Sequence, residues 1–319
     1  MSISTPCSRE DLIVPQYAFV PDAWTTTFQE GLLADKSEIV GKRLLEVGVG
    51  TGAMAIFGLT KLEVAHYYGS DLDPNLPTLA SQNIERICPD EASRFMPILG
   101  STNLLTPVDK NNRSIILETD IVIACIPQAI RPPDKEVCFD DLAHYYPGNL
   151  FENYQFNSLA LGLNEALLEQ FMSVVRETKD YNKRIYLNIA GRVGLENIKE
   201  LFKSHGLTSE IVHQVVIPQC PSTSLQFFVD IETASTDNAF KCEFYSDPEG
   251  NCQISANEAE KRRLQKDPVF HKLYVIKGIP QLNSVNLNQF LITFLDCIRQ
   301  QLAQLYKNRE SSPLLPYYN

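Results

Sequence analysis

Long apolar runs are missing from this chain: no stretch approaches the roughly 18 residues that cross a bilayer. Its first residues, MSISTPCSREDL, carry no apolar signal region. Neither membrane insertion nor secretion is expected, and the cytoplasm is the expected compartment. Basic charge is scarce as well. Lys and Arg number 28 against 39 Asp and Glu, giving a formal net charge of −11 and a pI near 5.0. Such a surface repels phosphate backbones, so nucleic acid is not an expected partner. The single basic triplet, Lys261-Arg262-Arg263, reads as an exposed helix face. Paired cysteine spacing is absent too. The eight cysteines, at 7, 88, 125, 138, 220, 242, 252 and 297, include no C-x-x-C. They read as small buried hydrophobes in a reducing compartment, with no disulfide framework and no zinc site. Repeats and low-complexity tracts are also lacking.

What is present is an ordinary globular composition, 44% hydrophobic and 21% charged over 319 residues. A chain of that length buries a core without staples. Residues 1–40 read as an arm, VPQYAFVPDAW, punctuated by Pro15 and Pro21 and leading into a helix from Thr25 to Leu33. From Lys42 strands and helices alternate. RLLEVGV, HYYGSDLD, FMPILG, TDIVIACIP, RIYLNIAG and SEIVHQVVIP read as strands. Helices are expected over Thr51 to Leu62, Asn75 to Cys88, Leu159 to Glu177 and LENIKELFKSHG. This alternation predicts an α/β fold of Rossmann-like type, a mostly parallel sheet with helices on both faces. The pattern changes near residue 232. SLQFFVDIET and AFKCEFYSD alternate like strands around a DPEGN turn, and Asn286 to Tyr306 reads as a closing helix. The expected organisation is an arm over 1–40, a ligand-binding domain over 41–231 and an extension over 232–319.

LLEVGVGTGA places Gly48, Gly50 and Gly52 between a strand and a helix. Glycine admits positive φ and lets a ligand approach the backbone, and the helix start offers unpaired N–H groups. Asp71 ends the next strand, 19 residues after Gly52, where a carboxylate accepts both hydroxyls of a ribose. Gly48, Gly50 and Ala53 also satisfy a permissive dinucleotide fingerprint. Glu46 separates the two readings. A carboxylate beside the turn repels a pyrophosphate but suits the amino group of S-adenosylmethionine, which carries a sulfonium and no phosphate. The methyl donor is therefore the favoured ligand, with S-adenosylhomocysteine as product and no metal required. Asn103, after the third strand, falls where such enzymes place a polar contact to adenine. Aromatic faces attract a sulfonium, so Tyr17, Phe19, Trp24 and Phe28 of the arm are candidate donor caps, Trp24 foremost.

In a doubly wound sheet the ligand lies outside the carboxyl ends of the strands. The end of the fourth strand, Cys125-Ile126-Pro127-Gln128, therefore faces the transferring methyl. Methyltransferases of amide and amine nitrogens often carry Asn-Pro-Pro-Tyr here, the asparagine accepting the substrate N–H. Cys125 takes the asparagine position, so that acceptor is missing. A thioether sulfur, which carries no proton, needs none.

FVPDAWTTTFQEGL (19–32), CIPQ (125–128), the LGL of 161–163 and NIAGRVG (188–194) resemble the methyltransferase part of plant methionine S-methyltransferase and its stand-alone bacterial relatives. The resemblance runs from about residue 13 and weakens after 232. It implies a class I methyltransferase fold and S-methylation of L-methionine to S-methyl-L-methionine. Cys125, Pro127 and Gln128 would line the transfer site. An amino-acid acceptor would place its carboxylate on Arg192, after the fifth strand, with Phe19, Tyr145 and Tyr146 as pocket walls. No general base is expected, and His144 is read as a bystander. Two rivals stay open: an N- or O-methyltransferase of another metabolite, and a non-catalytic donor-binding partner subunit.

Overall fold

The computed structural model describes residues 11–101, 103–105, 114–131, 145–235 and 240–282. Five short runs form the parallel part of one sheet: β1 (Arg43–Val47), β2 (His66–Asp71), β3 (Phe95–Leu99), β4 (Ile121–Ala124) and β5 (Arg184–Ala190). They lie in the order β3-β2-β1-β4-β5. Every residue of β4 is buried, as a strand covered on both faces requires. The chain winds outward from β1 through β2 and β3, then returns to the other side with β4. The β1/β4 border is therefore the switch point, where crossovers leave in opposite directions and a crevice opens.

Two long strands complete the sheet. β6 (Leu207–Pro218) pairs antiparallel with β9 (Phe270–Pro280), and β9 also runs antiparallel to β5. A small hairpin of β7 (Phe244–Tyr245) and β8 (Gln253–Ile254) meets β9 at Phe270. The expected DPEGN turn closes this hairpin, with the Asp247 carboxylate accepting from the N–H groups of Asn251 and Cys252.

Alternation along each strand sends neighbouring side chains to opposite faces. In β1, Leu44 enters a core with α1 (Ala23–Ala34), α2 (Lys36–Ile39), α3 (Ala53–Thr60) and α4 (Asn75–Ile87). Leu45 enters the other core, with α5 (Ile115–Glu118), α6 (Gly162–Thr178), α7 (Leu195–Ser204), α8 (Gln226–Ala234) and α9 (Ala256–Leu264). The fold is thus the expected α/β one, with helices on both faces.

Helix α1 belongs to the core as much as to the arm. The Asp22 carboxylate caps it by accepting from Trp24 N–H at 2.8 Å. Phe28 and Leu32 are wholly buried, each contributing about 1.5–3 kcal/mol. Gly31 lies so close to Val275 that an added Cβ would come within 2.6 Å, so α1 docks directly on β9.

Three sequence expectations differ from the structure. SLQFFVDIET contributes helix α8 and not a strand; its paired phenylalanines fit either period, and Phe228 packs into the core from a helix. AFKCEFYSD yields only the two strand residues of β7. Strand β9 was not expected at all, because His271, Lys272 and Lys277 interrupt its apolar pattern. The closing helix expected over 286–306 lies outside the described residues.

Candidate active site at the sheet edge

The β1–α3 turn is built as its glycines dictate. Gly48, Gly50 and Gly52 all have positive φ, at 86°, 52° and 82°. Side chains are excluded from Gly52 by Ala80, whereas Gly50 faces open space. The Ser70 carbonyl accepts from both Gly48 N–H and Val49 N–H, so the β1–β2 ladder runs on into the turn. Asp71 ends β2 and its carboxylate accepts from Gly50 N–H at 3.0 Å and Asp73 N–H at 3.2 Å. Burial nevertheless holds the Asp71 carboxyl above the ordinary range. A rigid acceptor therefore stands at the rim of a glycine cradle.

These groups open onto a cleft of about 1210 Å³ at the carboxyl ends of β1, β2 and β4. Glu46 lines it, almost wholly buried, with Tyr67 Oη donating to Oε2 at 2.7 Å. Burial raises the Glu46 carboxyl to about 8, and the tyrosine bond offsets only part of that. A cation arriving at Glu46 would relieve the same penalty. The arm crosses this end of the cleft. Ile13 is fastened to α4 through Asn83, and Val14 to Asp22 line the opening. Asn83 also donates to the Thr51 carbonyl at 2.9 Å, which ties the arm to the glycine turn.

At the β4 end, Cys125 and Pro127 line the cleft. Asn188 Nδ2 donates to Cys125 Sγ at 3.5 Å and to the Trp24 carbonyl at 2.9 Å. Burial pushes the Cys125 thiol up to about 12, so it stays protonated and is no nucleophile. Gln128 lines the cleft, but its amide also bonds to the main chain of β5. Nε2 donates to the Asn188 carbonyl at 2.6 Å, and Oε1 accepts from Ala190 N–H at 2.9 Å. The side chain thereby continues the β4–β5 pairing beyond the end of β4.

The far end of the cleft is polar and buried. Arg192 donates to the Gln128 carbonyl at 3.4 Å and lies 5.9 Å from the Trp24 ring and 5.1 Å from the Phe228 ring. Burial lowers its guanidinium to about 10, which leaves it charged at neutral pH. No carboxylate among the described residues pairs with it. Beside it stands His271 of β9, its ring 6.0 Å from Trp24. Neither ring nitrogen has a hydrogen-bond partner among the described residues, and burial together with Arg192 drives its proton affinity well below the usual histidine range.

Glu46, Gly48, Gly50, Asp71, Trp24, Phe19, Cys125, Pro127, Gln128, Tyr145, Tyr146 and Arg192 all line the cleft, and Gly52 completes the glycine turn without lining it. The Trp24 ring, expected to cap the donor, lies 5.9 Å from the Arg192 guanidinium and 6.0 Å from the His271 ring. Tyr146 serves the wall of the pocket: its hydroxyl donates to Asn157 Oδ1 at 2.8 Å and accepts from Gly162 N–H. Asn103 is exposed and lies outside the cleft lining, although Gly100, Ser101 and Leu104 belong to it. His144 lies outside the described residues. The histidine that lines the cleft is His271 of β9, which no sequence motif singled out. Asn83 and Gln219 were also missed. Each sits next to a segment distant in sequence, so no local spacing points to them.

No family model and no curated protein matches the sequence. Solved structures do match in chain trace. The YcgJ protein of Bacillus subtilis is 14% identical with a TM-score of 0.43, the match covering 80% of this chain and 99% of that one. Precorrin-6y C5,15-methyltransferase of Geobacter metallireducens is 10% identical with a TM-score of 0.40, covering 85% and 94%.

Proposed function

We propose that the chain is an S-adenosylmethionine-dependent methyltransferase acting on a small amino acid, most specifically the sulfur of L-methionine. The observation that carries the amino-acid part is Arg192: a buried, charged guanidinium with no carboxylate partner among the described residues, facing the cleft that holds the glycine turn. An uncompensated buried cation is costly, and a substrate carboxylate removes the cost. The donor part rests on the cradle itself. Asp71 stands ready for ribose hydroxyls, Glu46 for an ammonium, and Gly50 leaves room for close approach.

S-adenosylmethionine supplies an electrophilic methyl on a sulfonium when bound. The chain's own residues contribute alignment and exclusion of water. Arg192 fixes the acceptor, the arm closes the donor end, and Cys125 with Pro127 leaves an apolar passage between them. Holding two reactants in line is worth up to about 7–11 kcal/mol. A thioether needs no base, which agrees with a neutral, unreactive thiol at the end of β4. The acidic charge balance speaks against nucleic acid as the acceptor. No described helix is long and apolar enough to cross a membrane.

One observation favours nitrogen instead. Asn188 Oδ1 is buried beside Cys125 without a hydrogen-bond partner among the described residues, a carbonyl of the kind that takes a substrate N–H. Incubation with donor and L-methionine, followed by NMR of the product, decides between them. S-methylation places the new methyl on a sulfonium, with kcat flat between about pH 6.5 and 8.5 because a thioether has no proton to lose. A methyl on nitrogen, or a rate rising tenfold per pH unit, rejects the sulfur reading.

A further inference from the structure

Polar atoms buried without partners are few in native proteins, and each calls for an explanation. Three of the orphans here gather where β6 ends and β9 begins. His271 contributes both ring nitrogens and Gln219 its Oε1. The two residues are neighbours across the sheet: Ile217 pairs with His271, and Gln219 N–H donates to the Val269 carbonyl at 2.7 Å. Both line the cleft with Arg192, and both are more than nine-tenths buried.

We infer that His271 and Gln219 bind the amino group of the acceptor while Arg192 takes its carboxylate. This rests on the amino-acid reading above and names the residues that select for it. The chemistry of the orphans is complementary to a donor ligand. Gln219 Oε1 is a pure acceptor. A neutral imidazole always offers one lone pair, and burial beside a guanidinium keeps this one neutral. A metal does not explain it, since no group of three or more metal-ligating side chains occurs among the described residues. A carboxylate alone would satisfy Arg192 and leave Gln219 Oε1 orphaned. An amino acid, whose ammonium and carboxylate sit on one carbon, brings a donor to Gln219 Oε1 and to the free lone pair of His271 and a carboxylate to Arg192.

The test compares L-methionine with its desamino analogue, 4-(methylsulfanyl)butanoate, in the wild type, His271→Phe and Gln219→Leu. The wild type should favour methionine, because a site built to hydrogen-bond a group rejects the analogue lacking it. His271→Phe should raise the methionine KM about 10- to 100-fold and leave the analogue's KM within about threefold. Gln219→Leu should move the same ratio in the same direction. Titration with S-adenosylhomocysteine reports whether each variant is folded at the donor end. Equal losses on both acceptors, with donor binding intact, overturn the assignment. A second readout does not depend on turnover. With S-adenosylhomocysteine bound, NMR of isotope-labelled histidine follows the His271 ring, assigned by its absence from His271→Phe. L-methionine should shift it and the desamino analogue should not. No shift, or equal shifts, overturns the inference. A methionine-specific shift without methyl transfer keeps the subsite and removes the S-methylation reading.

Discussion

Asn83 offers a direct test of how the arm works. Wholly buried on α4, its amide holds three main-chain groups: Ile13 N–H at 2.8 Å, the Ile13 carbonyl at 3.0 Å and the Thr51 carbonyl at 2.9 Å. Leucine at this position keeps the volume and removes all three bonds. Ile13 is 44% exposed, so its groups fall back on water, at about 0.5–1.5 kcal/mol each. Thr51 is buried, and a stranded carbonyl there costs about 1–3 kcal/mol. The arm's share is therefore about 1–3 kcal/mol. It appears in donor affinity only if the arm closes over the donor, as a loss of about 5- to 150-fold. The Thr51 share appears in Tm whatever the arm does.

Calorimetry with S-adenosylhomocysteine measures the first quantity and thermal unfolding the second. A chain beginning at Pro15 separates them, because it loses the Ile13 bonds and keeps the bond to Thr51. Both variants should bind the product more weakly, and Asn83→Leu should lose more Tm. Hydrogen exchange over residues 15–22 should slow on adding product to the wild type, and less so in Asn83→Leu. Wild-type affinity in both variants would refute the reasoning and make the arm a mere covering of α4.

Asp71→Ala should weaken donor binding by about 1–3 kcal/mol in the same titration, and NAD should not bind measurably; micromolar NAD affinity would restore the dinucleotide reading. Glu46 is raised in the folded state to about 8 against an ordinary 4.5, so the folded chain holds an extra proton between those values. Its contribution to stability therefore falls as pH rises through that window, and Glu46→Gln should flatten the fall in a series of Tm measurements. An ammonium favours the ionised form, so donor affinity should improve as pH rises toward 8, with proton release visible as a buffer-dependent binding enthalpy. Cys125→Ser should retain turnover, since the thiol is protonated and asks only for room. Alkylation at neutral pH should label exposed Cys220 and Cys252 ahead of Cys125.

What the sequence revealed about this site follows from local physics. Three glycines between a strand and a helix took positive φ because few other residues tolerate it there. The carboxylate 19 residues on fell at the end of β2 because a helix of one crossover fixes that distance. Arg192 was legible for the same reason, lying just past β5. Asn83 was missed for a different cause, and the same cause hid the pairing role of Gln128, which was named only for the transfer site. Asn83 holds a backbone 70 residues earlier, and Gln128 one about 60 residues later. Each is polar and buried because a distant main chain needs a partner, and that need is invisible until the two segments meet.

Strand β9 shows how the same cause hid the acceptor end. Its lysine and histidine look solvent-facing in sequence, yet Lys277 and His271 are both buried. Lys277 is explained once the fold is known: Asp35 lies 2.8 Å from its amine and Glu210 lies 3.0 Å away. A buried charge with two carboxylates is a closed arrangement, built for the fold. His271 sits six residues earlier on the same strand, just as deeply buried, and its two nitrogens have no hydrogen-bond partner among the described residues. Folding alone gains nothing from an imidazole there that an apolar side chain would not supply better, because each unpaired buried group costs about 1–3 kcal/mol. The contrast between the two residues of one strand is the physical reason to place a ligand against the second.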